Sequence, residues 1–356
     1  MVVTDIAPQR LLHQQLIATP FTQPHEIVAC LGAMQAQEYA SSKWGIGIRL
    51  PGITNNDIEA AICNKTIIRT TIFRGTLHWV AAADLRWMLQ LAESSVMTRM
   101  GSMHRKLGLD AAYFKRTGQV LRQALEGGMA LTRKELVALL QKKGINTDEN
   151  RMNHILYHAA INALICNGPL KGKQLTYVLL DEWYPDTTTL SRETALQTLA
   201  YRYFKSHGPA TLADFAQWSG LPVAAARLGL EAAQHQLVAQ HIHQQQYWMA
   251  PGKSKPPADT AFLLPAFDEF FIGYKDRSPL IDMRYVSRVI TLNGIFNPIM
   301  VHNGQVVGVW KRTFKKDTVT IATDPFQPLK KAELSAFEQA AHQYAVFMGL
   351  QLAGFC

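Results

Sequence analysis

The stretch Leu31-Gly32-Ala33-Met34-Gln35-Ala36-Gln37-Glu38-Tyr39 lies at the end of a predicted helix. That helix is predicted because Thr22 can cap it, Pro24 suits its first turn and apolar residues recur at helical spacing. Residues two apart point to different faces of a helix but to the same side of extended backbone. If the helix unwinds within this stretch, the amides of Gln35 and Gln37 can converge on one ligand. If the helix continues, they are two solvated glutamines at a helix end.

The composition is that of a folded protein with several domains. The chain has 356 residues, of which 48% are hydrophobic and 18% charged. This length predicts roughly two to four domains. Lys and Arg outnumber Asp and Glu by 36 to 27, and the net charge of +9 suits a polyanionic partner such as nucleic acid.

Cysteine usage and hydropathy indicate the compartment. The four cysteines lie far apart without a CxxC pair, which is typical of isolated thiols in a reducing compartment. The N-terminus lacks a basic segment followed by an apolar run, and no stretch approaches ~18 apolar residues. We therefore expect a cytoplasmic protein that has no membrane partner.

One pattern of elements recurs three times. The first copy follows a predicted strand at 45–50 and comprises a helix capped by Thr54 and Asp57, then two strands within Ile67–Val80 broken at Gly75. The second copy consists of the helix after the capping box in Leu131–Glu135, the helix Glu149–Cys166 and the strand Gln174–Leu180. The third copy consists of the helix from Thr211 to Trp218, the helix Ala224–Gln236 and the strand Gln246–Met249. Helix, short turn, helix and β-hairpin is the order of a winged helix-turn-helix unit.

The pattern changes after a predicted linker at Pro251–Pro257. Short strands are predicted at Ala261–Phe267, Arg288–Leu292, Ile299–His302, Gln305–Trp310 and Val319–Ala322, with a tight turn at Asn303-Gly304 and a final helix whose apolar face carries Leu334, Phe337, Ala341, Tyr344 and Met348. We therefore predict an α+β protein with three tandem winged helix-turn-helix units and a C-terminal β-barrel-like domain. The predicted boundaries are 1–105, 106–190, 191–257 and 258–356.

Basic residues in the predicted strands and turns are candidate phosphate contacts, because the wings of such units hold the DNA backbone. They are Arg69, Arg74, Lys171, Lys173, Lys311 and Arg312, followed by Lys315-Lys316. Each one alone is as well explained as a solvated charge, and it is the combined surplus of positive charge that indicates DNA. We also expect the hairpin around Asn303-Gly304, with Trp310-Lys311-Arg312 as its aromatic and basic edge, to lie beside the same concave surface as Gln35.

The motifs of metal and nucleotide sites are not found. His154 and His158 are one helical turn apart, but no HExxH frame or third ligand accompanies them, and His241-x-His243 is an equally weak signal. There is no P-loop and no convincing GxGxxG after a strand. We therefore expect no metal and no cofactor.

Carboxylates alternate with aromatic residues in Phe267-Asp268-Glu269-Phe270-Phe271-Ile272-Gly273-Tyr274-Lys275-Asp276-Arg277. This stretch could stack on a base, or place a carboxylate such as Asp268 at a DNA cleft. Equally, it could be an aromatic core in which Asp268 and Glu269 are paired with nearby cations. The sequence leaves both interpretations open.

Four ordered motifs resemble the bacterial winged-helix DNA glycosylase family of the AlkZ and YcaQ type. They are Met34-Gln35-Ala36-Gln37 with Trp44; Arg74-Gly75-Thr76-Leu77-His78; His207-Gly208-Pro209-Ala210-Thr211 with Asp214-Phe215; and Leu264-Pro265-x-x-Asp268 with Gly273-Tyr274-x-x-Arg277. The resemblance spans nearly the whole chain. It implies three tandem winged helices around a concave DNA surface and a C-terminal β domain, in agreement with the repeat pattern.

The resemblance also implies an activity. Members of the family excise bulky N-alkylated bases and unhook interstrand crosslinks through a glutamine-hydrophobic-glutamine or glutamine-hydrophobic-aspartate motif, which assigns catalytic roles to Gln35 and Gln37. We therefore expect a monomeric, metal-independent, nucleoid-associated monofunctional DNA glycosylase that acts on alkylated or crosslinked double-stranded DNA. The candidate DNA contacts are Trp44, Arg69, Arg74, His78, Lys171, Lys173, Lys275, Arg277, Lys311 and Arg312, and Asp268 is the candidate additional carboxylate of the active site.

Two other functions fit the sequence. The chain could be a non-catalytic winged-helix protein that binds DNA as a regulator or architectural factor, because such a family can include plain DNA-binding members. A weaker alternative is a scaffold whose winged helices bind protein. The Gln35-Ala36-Gln37 motif favours the glycosylase.

Overall fold

The computed structural model describes residues 6–186, 188–242, 244–252 and 257–356. The first part of the chain contains α1 (Ile6–His13), α2 (Pro24–Leu31), β1 (Met34–Gln35), α3 (Tyr39–Gly47), α4 (Asn55–Cys63), β2 (Ile67–Thr71), β3 (Leu77–Ala81) and α5 (Leu85–Lys106). Its strands form an antiparallel sheet in the order β1-β3-β2. The predicted capping box of α4 is confirmed, since Thr54 and Asp57 exchange both hydrogen bonds.

The second part repeats a helix pair followed by a small sheet. Its elements are α6 (Ala111–Leu125), β4 (Leu131–Thr132), α7 (Arg133–Lys142), α8 (Arg151–Ile161), β5 (Ile165–Asn167), β6 (Thr176–Leu179) and α9 (Leu180–Trp183), with the sheet order β4-β6-β5. The predicted capping box at Thr132 and Glu135 is confirmed. The helix predicted to end at Cys166 ends at Ile161 instead, because 165–167 pair with β6.

The third part contains α10 (Arg192–His207), α11 (Leu212–Ser219), α12 (Val223–Ala233), β7 (Val238–Ile242) and β8 (Gln245–Met249), with β7 paired to β8. Thr211 caps α11 as predicted. The linker predicted at Pro251–Pro257 and the second histidine of the predicted His241-x-His243 pair lie largely outside the described residues. The paired helices of the second and third parts follow the predicted order, while the assignment of the three parts as winged helix-turn-helix units stays a prediction.

The C-terminal part contains β9 (Ala261–Leu264), α13 (Glu269–Ile272), α14 (Val286–Val289), β10 (Ile299–His302), β11 (Gln305–Lys315), β12 (Thr318–Pro325), α15 (Lys331–Met348) and β13 (Gln351–Phe355). The strands form one sheet, ordered β13-β12-β11-β10-β9, that curls into a half-barrel. The predicted turn at Asn303-Gly304 joins β10 to β11 with both residues at positive φ. The predicted final helix is also confirmed, with Phe337, Ala341 and Tyr344 buried.

Two strand predictions were wrong. The alternating residues at 45–50 lie in and after helix α3, where Gly47 lets α15 approach: a Cβ atom on Gly47 would lie 2.3 Å from the Phe347 ring. The segment predicted as the strand Arg288–Leu292 contains the end of helix α14, and Leu292 is fully exposed. Short β-branched runs follow their packing rather than an intrinsic preference.

Buried apolar clusters join the parts. The largest contains side chains from Ala7 in α1 to Val309 in β11, including Phe73, Phe215 and Leu264. A second cluster packs α2, α3 and α4 against the C-terminal sheet and α15. Each fully buried large apolar side chain stabilises the fold by about 1.5–3 kcal/mol. The segment between α2 and α3 therefore lies between the two main cores. The predicted domain boundaries stay predictions.

Candidate active site

The Gln35-Ala36-Gln37 segment leaves helix α2 in an extended conformation. Helix α2 ends at Leu31, and Gly32 takes a positive φ of 83° that disfavours a side chain. A Cβ atom on Gly32 would also lie 3.2 Å from the Trp218 ring. The helix therefore unwinds within the predicted stretch, and Gln35 pairs with His78 in the adjacent strand β3. Gln35 is half-buried and Gln37 is exposed.

A buried arginine holds the backbone of this segment. The Arg69 guanidinium donates to the carbonyls of Ala36 at 2.9 Å and Gln37 at 3.4 Å, and to the Asn167 side chain at 2.8 Å. Arg69 is only 4% exposed, and burial lowers its pKa to about 10. The prediction that Arg69 contacts a phosphate is therefore corrected: its donors are committed to the glutamine segment and to the second part of the chain.

A buried carboxylate lies under Gln35. Glu269 accepts hydrogen bonds from the backbone N–H of Gln35 at 2.8 Å and from the Trp218 indole N–H at 2.9 Å, and His207 Nε2 lies 3.5 Å from it. Burial alone would raise the pKa of Glu269, but the adjacent His207 imidazole and the hydrogen bond from the Gln35 N–H lower it below its ordinary value. From the sequence, Glu269 was predicted only as part of an aromatic stretch, because its partners are distant in the chain.

Asp268 is paired with a cation, as one of the two interpretations of its stretch expected. Arg49 donates to both carboxylate oxygens of Asp268, at 2.9 and 2.8 Å, and both side chains are fully buried. Asp268 also caps α13 by accepting from the backbone of Phe270. Because both oxygens are occupied, the prediction of Asp268 as an additional active-site carboxylate is corrected to a structural role. Asp268, Gln35 and Glu269 line a cavity of 10 Å³. This cavity has room for about one water.

The motif beginning at His207 joins α10 and α11 to the C-terminal part. The Tyr274 hydroxyl donates to the His207 carbonyl at 2.9 Å, and Arg10 lies 3.5 Å from the centre of the Tyr274 ring. Asp214 accepts from the backbone N–H of Lys275 at 2.9 Å, while the Lys275 side chain is exposed. These contacts therefore hold the third part of the chain against the segment that follows Glu269.

The turn between β2 and β3 places a second arginine near this network. Arg74 adopts a positive φ of 58°, and its Nη1 is buried without a hydrogen-bond partner among the described residues. Burial lowers its pKa, the nearby Glu269 carboxylate raises it, and the positive charges of Arg99 and Arg277 lower it further. The guanidinium groups of Arg74, Arg99 and Arg277 therefore lie close enough to interact. Their combined positive charge would attract a phosphate.

His78 and Trp44 lie in the core, so their prediction as DNA contacts is corrected. His78 is 0% exposed, and burial together with the charge of Arg74 lowers its pKa to about 4. Trp44 is 4% exposed and donates to the Leu263 carbonyl at 2.7 Å. The indole of Trp310, predicted as the aromatic edge of a hairpin, is likewise buried and donates to Leu264. Aromatic side chains with an N–H commonly fill cores when that N–H finds an acceptor.

The other predicted basic contacts remain near the surface. Lys173, Lys275 and Lys311 are exposed, and Arg277 and Arg312 are half-buried. Lys171 is exposed but paired with Glu135 at 2.6 Å. The turn at Asn303-Gly304 packs on α1, since a Cβ atom on Gly304 would lie 2.7 Å from the Ala7 backbone. Its placement beside the surface of Gln35 stays a prediction.

The predicted histidine pair belongs to an aromatic cluster. His158 stacks on Phe114 with ring centres 3.8 Å apart, and burial lowers its pKa to about 4. His104 contacts both Phe114 and His154. In the described part of the chain, no group of three or more His, Cys, Asp or Glu side chains is arranged to hold a metal ion. No helix among the described residues is long and apolar enough to cross a membrane.

Comparison with known proteins identifies the family. The model of the DNA glycosylase AlkZ-like family matches residues 28–347, which includes the glutamine segment and its supporting residues. The chain belongs to the AlkZ-like DNA glycosylase family. It is 24% identical over 348 residues to the interstrand DNA cross-link repair glycosylase of Streptomyces sahachiroi, covering 92% of both chains.

A solved AlkZ-like structure shares the fold. The Streptomyces sahachiroi DNA glycosylase AlkZ superposes with a TM-score of 0.81 at 21% identity, over 98% of this chain and 97% of that one. The predicted resemblance to the AlkZ-like family is therefore confirmed, together with the α+β architecture and the curled C-terminal sheet. The chain therefore belongs to a family of enzymes that act on DNA.

Proposed function

We propose that this protein is a monofunctional DNA glycosylase that excises cationic N-alkylated purines from double-stranded DNA. The observation that carries the proposal is the position of Gln35-Ala36-Gln37 in a member of the AlkZ-like family. Buried Glu269 and Arg69 hold its backbone, while the Gln37 side chain is exposed. Uncharged amides held by buried ionic groups suit a site that orients water rather than one that donates a proton as a general acid.

The chemistry needs little more than orientation. A purine alkylated at N7 carries a positive charge, so the electron pair of the glycosidic bond moves to the base without a general acid. Water adds to C1′ of the sugar and releases one proton to solvent, which leaves a neutral alkylated base and an abasic site. Glutamine carbonyl dipoles can hold this water and stabilise the developing oxocarbenium charge. Catalytic groups of this strength restrict the enzyme to labile lesions, and normal bases are left intact.

The proposal extends to partners and cofactors. The exposed Lys173, Lys275 and Lys311 and the cluster of Arg74 and Arg277 are the proposed contacts to DNA phosphates. The curated relative is named for interstrand crosslink repair, and we propose crosslinked duplex as a second substrate. The reaction is proposed to need no metal and to be carried out by a monomer.

One observation favours the alternative of a non-catalytic DNA-binding protein. Asp268, Asp214 and Glu269 are all engaged in buried contacts, so the fold explains these carboxylates without any reaction. Such a protein would bind damaged and undamaged duplex alike and release no base.

Release of free base decides between the two. The assay uses duplex DNA carrying N7-methylguanine at one position, the same duplex with guanine there, and added EDTA. We expect N7-methylguanine to be released at the same rate with and without the chelator, and guanine to remain in place. Binding to both duplexes without release of either base would contradict the proposed glycosylase. Release that stops with EDTA would contradict its metal independence.

A further inference from the structure

The register of the first sheet aligns three polar residues. Gln35 in β1 lies directly opposite His78 in β3, and Thr70 in β2 lies directly opposite His78 on its other side. Cross-strand partners point to the same face of a sheet, with Cβ atoms about 4.5–5.5 Å apart. The three side chains therefore form one row across the sheet on the face that contains Phe73 and Val80, with His78 in the middle.

Two polar atoms of this row have no hydrogen-bond partner among the described residues. They are Nε2 of His78 and the hydroxyl of Thr70, and their residues are 0% and 1% exposed. A buried polar group without a partner destabilises the fold, so such groups call for an explanation. Here His78 lies on the strand next to the amide that is proposed to orient water, and Thr70 lies on the strand beyond it.

The tautomer of His78 follows from its other nitrogen. Nδ1 lies 2.9 Å from the backbone carbonyl oxygen of Thr76, which can only accept a hydrogen bond. Nδ1 therefore carries the hydrogen. In a neutral imidazole the second nitrogen then has a lone pair and no hydrogen. Nε2 of His78 is thus an acceptor that is unpaired among the described residues, and its two cross-strand neighbours, Gln35 and Thr70, both carry a hydrogen to donate.

We infer that His78 is a positioning residue: its Nε2, unpaired in the described part of the free protein, accepts a hydrogen bond from the side-chain NH₂ of Gln35 when DNA is bound and so turns the Gln35 carbonyl oxygen toward the water. This inference rests on the proposed glycosylase function. The opposite orientation of the amide would place its carbonyl oxygen against the lone pair of Nε2, which is repulsive. A glutamine amide has two orientations of nearly equal shape, and an acceptor at a fixed position selects one of them.

Two substitutions of His78 separate this role from packing. His78→Asn places an amide near the position of Nδ1, which keeps the contact to Thr76 but removes the acceptor at the Nε2 position. His78→Gln places an amide oxygen near the position of Nε2, which restores an acceptor but gives up the contact to Thr76. Thr70→Val is the matched control, because it removes the hydroxyl on the other side of His78 at nearly constant shape.

The measurement is single-turnover release of N7-methylguanine together with affinity for the same duplex. We expect His78→Asn to lower the rate about 10²-fold through misorientation of one group. We expect DNA affinity to stay unchanged, His78→Gln to recover most of the rate, and Thr70→Val to match the wild type. Thermal unfolding of each variant checks the fold, since a purely structural role predicts similar losses for His78→Asn and His78→Gln.

Three results would overturn the inference: a wild-type rate for His78→Asn, equal losses in His78→Asn and His78→Gln, or a loss in Thr70→Val as large as that in His78→Asn. Each of them leaves the proposed glycosylase standing as long as the wild-type protein releases N7-methylguanine. A wild-type protein that releases no base contradicts the proposed function and the inference together.

Discussion

The carboxylate of Glu269 accepts a hydrogen bond from the backbone N–H of Gln35 at 2.8 Å, although 234 residues separate them in the chain. The same carboxylate accepts from Trp218 of α11, so three parts of the molecule meet at one buried group. The buried carboxylate of Glu269 thus holds the backbone of the strand that carries the proposed catalytic amide.

We predict that removal of this carboxylate destabilises the fold. Glu269→Ala leaves the N–H groups of Gln35 and Trp218 buried and unpaired, at a cost of about 1–3 kcal/mol each. Glu269→Gln retains one acceptor oxygen and should lose less. Urea unfolding of the two variants measures the difference. Equal stability of Glu269→Ala and the wild type would show that this network does not stabilise the strand.

The paired charges of Arg49 and Asp268 give a second prediction. Asp268→Ala leaves the Arg49 guanidinium buried without its partner, which typically costs about 3–5 kcal/mol of unfolding free energy. Joint replacement of both residues by apolar ones of similar volume should cost much less. If Asp268 acted in catalysis instead, Asp268→Asn would lower base release while leaving urea unfolding unchanged.

The surface charge predicts binding that depends steeply on salt. With a net charge of +9, each phosphate contact should contribute roughly −0.9 to the slope of log affinity against log salt on duplex DNA. Lys311→Ala should reduce the slope by about one contact. Lys171→Ala should change it less, because Lys171 is paired with Glu135. A slope that Lys311→Ala leaves unchanged would exclude Lys311 from the DNA surface.

Local patterns predicted the helices well. The capping boxes at Thr54, Thr132 and Thr211 form as the sequence indicates, because a cap and its partner lie three residues apart. The turn at Asn303-Gly304 was predictable for the same reason. The residues at 45–50 were not, since what decides their conformation is the approach of Phe347 from the other end of the chain.

Prediction of the candidate site from the sequence was limited in the same way, because local patterns do not show which distant residues pack together. Gln35 and Gln37 were identified by their motif, and the end of α2 was predictable from Gly32. Three basic or aromatic residues of the site, Arg69, Trp44 and His78, were assigned to DNA but are buried. Sequence gives a charge or a ring at a position, whereas burial depends on partners such as Ala36 and Asn167 that only the fold brings together.

The most direct test of the account is single-turnover release of N7-methylguanine by the wild type, Gln35→Ala, Gln37→Ala and the double variant, with duplex affinity measured in parallel. We predict that each single substitution lowers the rate ~10²-fold or more, because each removes an oriented polar group that acts on the transition state. The loss of rate in the double variant should be smaller than the two single losses combined, because both amides position the same water. Affinity should change little. Release by the double variant at the wild-type rate would contradict the catalytic assignment of Gln35 and Gln37.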